Sequence, residues 1–148
     1  MIVIRKKTRG VSAVALSRFA AKARRAAGLD GEVTVLLASS EEIRDLNRRF
    51  RHKDKTTDVL SFPSEHDALS GDIAISADIA RENGETLGHG ALTEVKVLIL
   101  HGMLHLAGYD HESDNGEMAK LEARLRRQLG LPHGLIERAE GDSRRRRV

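Results

Sequence analysis

Three histidines within eleven residues give the first chemical lead: His101-Gly102-Met103-Leu104-His105-Leu106-Ala107-Gly108-Tyr109-Asp110-His111. Four residues apart on a helix, His101 and His105 share one face, so their imidazoles can converge on a single ion. Gly108 lets the chain leave the helix through a left-handed conformation, and His111 can then swing back as a third ligand. Three imidazoles leave the fourth tetrahedral position to water, the pattern of a catalytic rather than a structural zinc site. Neutral imidazoles suit zinc best, with nickel, copper and iron chemically admissible. A fourth protein ligand such as His133 would close the shell and make the ion structural.

The spacing His-x-x-x-His-x-x-Gly-x-x-His is also that of the metzincin proteases, which carry a general-base Glu directly after the first His. Here that position is Gly102, so peptide hydrolysis becomes the second reading. A Lewis-acidic ion with an open position also suits phosphodiester cleavage, which needs cationic help at the phosphate. Asn47-Arg48-Arg49-Phe50-Arg51-His52-Lys53-Asp54-Lys55 is the best basic candidate. It reads either as a phosphate clamp or as a solvated helix end. His52 belongs to this cluster, while His66 and His89 read as loop residues. Asp110 is close enough to be a general base or to orient a ligand histidine, the commoner role.

The elements that position these groups follow from periodicity. Met1–Arg5 reads as a strand, Val11–Ala27 as a helix, and Glu32–Leu37 as a strand with Val33, Val35 and Leu37 on one face. Ser39 and Glu42 form a capping-box pattern, opening a helix with Ile43, Leu46 and Phe50 inward. Thr57–Phe62 and Asp72–Ile75 read as strands around a loop over Ser64–Ser70. Ser76 caps a short helix ending near Gly84. Leu92–Ala107 is apolar on nearly every side, which places it at the centre of the fold. A last helix covers about Asn115–Leu129. Together these predict an α+β (mixed α/β) domain over residues 1–138. A small mixed four-stranded sheet would pack around a central metal-bearing helix with flanking helices. Residues 139–148, ending in Arg144–Arg147, are expected to form a disordered Arg-rich tail.

At 148 residues one domain is expected. The absence of Cys excludes a disulfide framework, a thiolate zinc site and a Cys nucleophile. The longest apolar run, Val97–Leu100, is too short to span a bilayer, so a soluble, cytoplasmic protein without membrane contact is expected. Charge is uneven: residues 1–30 carry eight Lys/Arg against one Asp, while residues 64–118 carry two against eleven Asp/Glu. Basic ends flanking an acidic middle suit a polyanion partner and a cation-binding centre.

The combined pattern resembles the YbeY family of metal-dependent endoribonucleases. The matching residues are Leu46-Asn47, Phe50-Arg51, Lys53-Asp54-Lys55, Thr57-Asp58-Val59-Leu60-Ser61-Phe62-Pro63, Gly71-Asp72-Ile73 and the histidine motif with Gly in second place. The resemblance covers about residues 44 to 130. It implies that His101, His105 and His111 hold one Zn2+ per chain and that Arg51 faces the site as the functional arginine. It also implies a single-stranded RNA substrate, a role in 16S rRNA 3′-end maturation and ribosome quality control, and a small-subunit ribosome partner. Thr56 stands where the family usually has proline, and Arg144–Arg147 lies outside the resemblance. Beside this single-strand-specific, zinc-dependent endoribonuclease stand two alternatives. One is a metalloprotease-like zinc hydrolase, and the other is a non-catalytic RNA-binding assembly factor with structural zinc.

Overall fold

The structure, a computed structural model, describes residues 1–66 and 68–146, the side chains of 142–146 excepted. It comprises β1 (Ile2–Ile4), α1 (Ala13–Ala26), β2 (Glu32–Ala38), α2 (Ser40–Arg51), β3 (Val59–Pro63) and β4 (Leu69–Ser76), followed by α3 (Ala77–Leu87), α4 (Gly90–Leu106), α5 (Glu117–Gln128) and α6 (Leu135–Arg146). The strands form one mixed sheet in the order β1-β2-β4-β3. β1 and β2 pair in parallel, as do β2 and β4, and β3 lies antiparallel on β4 at the edge. No described helix is long and apolar enough to cross a membrane.

Strand alternation divides the core. Val33, Val35 and Leu37 of β2 and Ile73 and Ile75 of β4 turn to the face that carries α1 and α4. Leu60 and Ala74 turn to the other face, where Ile43 of α2 covers them. Helix α4 is buried from Val95 to Leu104 on nearly all sides, as its composition predicts, because sheet, α1, α3 and α5 surround it. The serines expected to cap do so: Ser39 accepts from the Glu42 N–H at 3.2 Å and Ser76 from Ile79 at 3.1 Å.

Four details differ from the sequence reading. Phe50 is 59% exposed, and Asn47 takes the inward position one turn after Ile43, its amide donating to the Lys55 carbonyl at 2.9 Å. Helix α3 runs past Gly84 to Leu87, because the chain entering α4 passes Gly84 so closely that a Cβ there would meet Gly90 at 2.5 Å. His89 is not a free loop residue; it stands at the head of α4 with its Nε2 3.0 Å from Glu94. In place of a tail from residue 139, the backbone of α6 continues to Arg146. Residues 147–148 and the side chains of Arg144–Arg147 lie outside the described residues.

Helix α6 is fixed at its start by the buried Ile136, by Leu135 packed on the core and by ion pairs. Arg138 grips the fully buried Glu94 of α4 with two parallel hydrogen bonds of 2.7 and 2.9 Å. Glu137 accepts from Arg126 of α5 at 3.0 and 3.3 Å. A first turn held in this way removes the nucleation cost, and the rest of the helix propagates from it. Burial pushes the Glu94 carboxyl up, but Arg138 and then His89 outweigh it and hold the group below the usual glutamate value. The stability from this pair is therefore complete above the ordinary glutamate pKa and lost as pH falls through the lowered one. Glu94→Ala leaves Arg138 without its partner and should cost about 3–5 kcal/mol in urea unfolding followed by circular dichroism. A loss below about 1 kcal/mol, the range of an exposed pair, would contradict this role.

Candidate metal centre

His101 and His105 project from the C-terminal half of α4, and the chain turns at Gly108 (φ +98°) to bring His111 back. The candidate ligand atoms of the three residues all lie within 4.8 Å of one another, so the group can hold a metal ion. No other His, Cys, Asp or Glu joins it among the described residues. His133 stands elsewhere, with its ring 5.2 Å from that of His89 beside Glu94 and Arg138. It does not complete the shell.

The hydrogen bonds behind the imidazoles fix which nitrogens are free. His101 Nδ1 lies 2.7 Å from the Glu122 carboxylate and His105 Nδ1 lies 3.0 Å from the Tyr109 carbonyl. Both partners only accept, so each Nδ1 carries the proton and each neutral ring presents an Nε2 lone pair. Those two Nε2 atoms face each other at 3.1 Å. At that separation both nitrogens can meet the same ion. His111 leaves its buried Nδ1 without a hydrogen-bond partner. Burial, followed by repulsion from His101, pushes the His105 pKa down and keeps the ring in the ligand form. The donor set therefore fits a divalent ion of imidazole preference.

Glu122 is the residue that the sequence reading missed. Its carboxylate is fully buried, receiving His101 on one oxygen and the Ile136 N–H on the other at 2.8 Å. The signal was available: Met118, Glu122 and Leu125 fall on the inward stripe of α5, where a charged residue has to be explained. Asp110 lines the groove beside the histidines and makes no hydrogen bond to a ligand imidazole among the described residues. It is exposed and caps its own turn, accepting from the Glu112 N–H and the Ser113 hydroxyl at 3.1 Å each. Those two bonds hold its carboxyl below the usual range. It thereby shapes the loop that returns His111.

Gly102 explains why the protease base is absent. Its carbonyl accepts from Ser61 at 3.3 Å, and a Cβ at this position would meet the buried Ile73 of β4 at 2.9 Å. The helix lies against the sheet here, so a Glu side chain would run into core. The histidines open onto a groove of about 610 Å³, whose opposite wall is Arg51, Lys53, Thr57, Asp58 and Ser61. Arg51 closes α2, donates to the Ser61 carbonyl and sits over the Phe62 ring, 5.3 Å from its centroid. The other arginines of α2 are paired with carboxylates: Arg44 is bound to Asp54, while Arg48 and Arg49 both hold Asp45. Thr56, at the position where proline is usual, ties the following turn to α2 by donating to the Ser40 carbonyl at 3.0 Å.

Residues 3–130 match the family model described as Endoribonuclease YbeY. A protein of Koribacter versatilis named Endoribonuclease YbeY is 59% identical over 138 residues, which is 93% of this chain and 91% of the relative. One of Solibacter usitatus with the same name is 48% identical over 126 residues, 85% of each chain. The solution structure of a Thermotoga maritima protein superposes with a TM-score of 0.60 at 32% identity, covering 87% of this chain and 89% of the other.

The buried carboxylate behind His101 gives a direct test. Glu122→Gln should weaken metal binding by about 10–100-fold in a chelator competition, because an amide has one acceptor oxygen and no charge for the two donors, His101 Nδ1 and the Ile136 N–H, that the carboxylate satisfies. Unchanged affinity would mean that the pair serves only to dock α6.

Proposed function

Since the chain belongs to the YbeY endoribonuclease family, we infer that it is a hydrolase that cleaves RNA phosphodiester bonds in rRNA processing. His101, His105 and His111 hold one divalent ion, and zinc is the ion that three neutral imidazoles favour. When bound, such an ion supplies Lewis acidity toward a phosphoryl oxygen and acidifies water. Glu122 and the Tyr109 carbonyl keep the His101 and His105 rings in the ligand tautomer and orientation. Arg51, across the groove, binds the scissile phosphate and offsets the charge that builds there in the transition state.

The observation that carries this reading is the shared groove: three converging imidazoles on one wall and, on the other, a guanidinium without a carboxylate partner among the described residues. A phosphodiester backbone laid in this groove would meet the imidazoles on one side and the guanidinium on the other. The substrate is accordingly read as single-stranded rRNA near the 16S 3′ end, the partner as the small ribosomal subunit, and the compartment as the cytoplasm. The protease alternative lacks support, since position 102 has no room for a base.

The test is cleavage of an end-labelled single-stranded RNA, with the same RNA annealed to its complement run beside it. Wild type should cut the single strand and spare the duplex, while His105→Ala should lose both its metal and its cutting. Arg51→Ala should retain metal and slow cleavage by about 10²–10³-fold, the usual effect of deleting one charge-stabilising donor. Equal cutting by wild type and His105→Ala would overturn the assignment, as would turnover of casein without turnover of RNA.

A further inference from the structure

The cations of this chain fall into two groups. Around α2 and the N-terminal strand five are engaged by acids: Arg44 with Asp54, Arg48 and Arg49 with Asp45, Arg5 with Glu42 and Lys6 with Asp78. Those on the outer faces of α1 and α5 are not. Arg18, Lys22 and Arg25 are exposed along one side of α1, a helix that contains no acidic residue. Where the ends of α1 and α5 meet, Lys22, Arg25, Ala26, Gln128 and Leu129 line a crevice of about 400 Å³. Lys120 and Arg124 precede Gln128 by two turns and one turn on α5, and Arg127 is exposed beside it. None of these six cations makes an ion pair among the described residues, and none lines the metal groove.

The chemistry of the face selects its ligand. The final turns of both helices offset part of the repulsion through their dipoles, but Arg18, Lys120 and Arg124 lie further from those ends. What remains is a field suited to a polyanion. No aromatic side chain is exposed on either helix, so bases have nothing to stack on. The face can bind phosphates but has no means of reading sequence.

We propose that the α1–α5 face is a second RNA-docking surface, which holds the phosphodiester backbone of a segment outside the cleavage groove. It rests on the RNA-cleaving reading above. It fixes the protein on a long RNA while the metal groove works on one strand of it.

The test compares wild type with the triple variant Arg18→Ala/Lys22→Ala/Arg25→Ala, whose side chains are exposed and whose fold circular dichroism can check. Binding of a long RNA is followed by fluorescence anisotropy across a salt series. Cleavage of a short oligonucleotide that fills the groove alone is followed in parallel. The variant should bind the long RNA more weakly and lower the slope of log affinity against log salt by about 2. Its kcat/KM on the short oligonucleotide should not change. An unchanged slope and affinity would overturn the proposal, whether the face is merely solvated or meets an acidic protein instead. If wild type binds long RNA with the steeper slope and cuts nothing, the cleavage reading fails while the docking surface stands. If it cuts RNA and the slopes agree, only the docking surface fails.

Discussion

The hydrogen bond between the Glu122 carboxylate and the His101 imidazole ties three helices to one nitrogen. Glu122 comes from α5, His101 from α4, and the second carboxylate oxygen is occupied by the first turn of α6. A buried carboxylate is costly unless both oxygens are satisfied, and here both are. The ring is thus held with its Nε2 toward that of His105, 3.1 Å away, where one ion can meet both. Packing on the other side is equally constrained. With Gly102 against Ile73 and its carbonyl bonded to Ser61, α4 cannot roll to turn the histidines elsewhere.

The sequence made local features legible and left long-range ones hidden. The i, i+4 histidines, the Gly108 turn, the capping serines and the alternation in β2 are all contained within a few residues, and the structure contains them. Glu122 and Glu94 belong to another class. Their partners lie 21 and 44 residues away, at His101 and Arg138, and no periodicity announces such pairs. Phe50 and Asn47 show the limit of ranking by hydrophobicity, since an amide that closes a loop took the inward place and left the aromatic ring outside. Helix α6 was hidden for a related reason. Its anchorage combines the single buried Ile136 with ion pairs to residues of α4 and α5 that lie far away in the sequence.

Charge reads differently in the fold than along the chain. The Asn47–Lys55 segment is rich in basic residues, but Asp45 engages Arg48 and Arg49 and leaves Arg51, with Lys53, as the cations that line the groove. Arg18, Lys22 and Arg25 of α1, part of the basic N-terminal end seen in the sequence, keep their charge exposed. Folding therefore concentrates a few free cations at particular surfaces, rather than spreading a modest net charge of +3 evenly.

The order in which the pieces of the centre leave the ribosome has a consequence of its own. Chains emerge from the N-terminus, and early segments collapse before later ones exist. His101, His105 and His111 are synthesised before Glu122 and Ile136, which hold the first of them in register. A chain arrested before α6 has its three imidazoles but not the backbone that completes the Glu122 bridge. Vectorial synthesis thus delays assembly of the metal centre until nearly the last helix, so truncated products of a hydrolase that acts on RNA emerge poorly equipped to attack it.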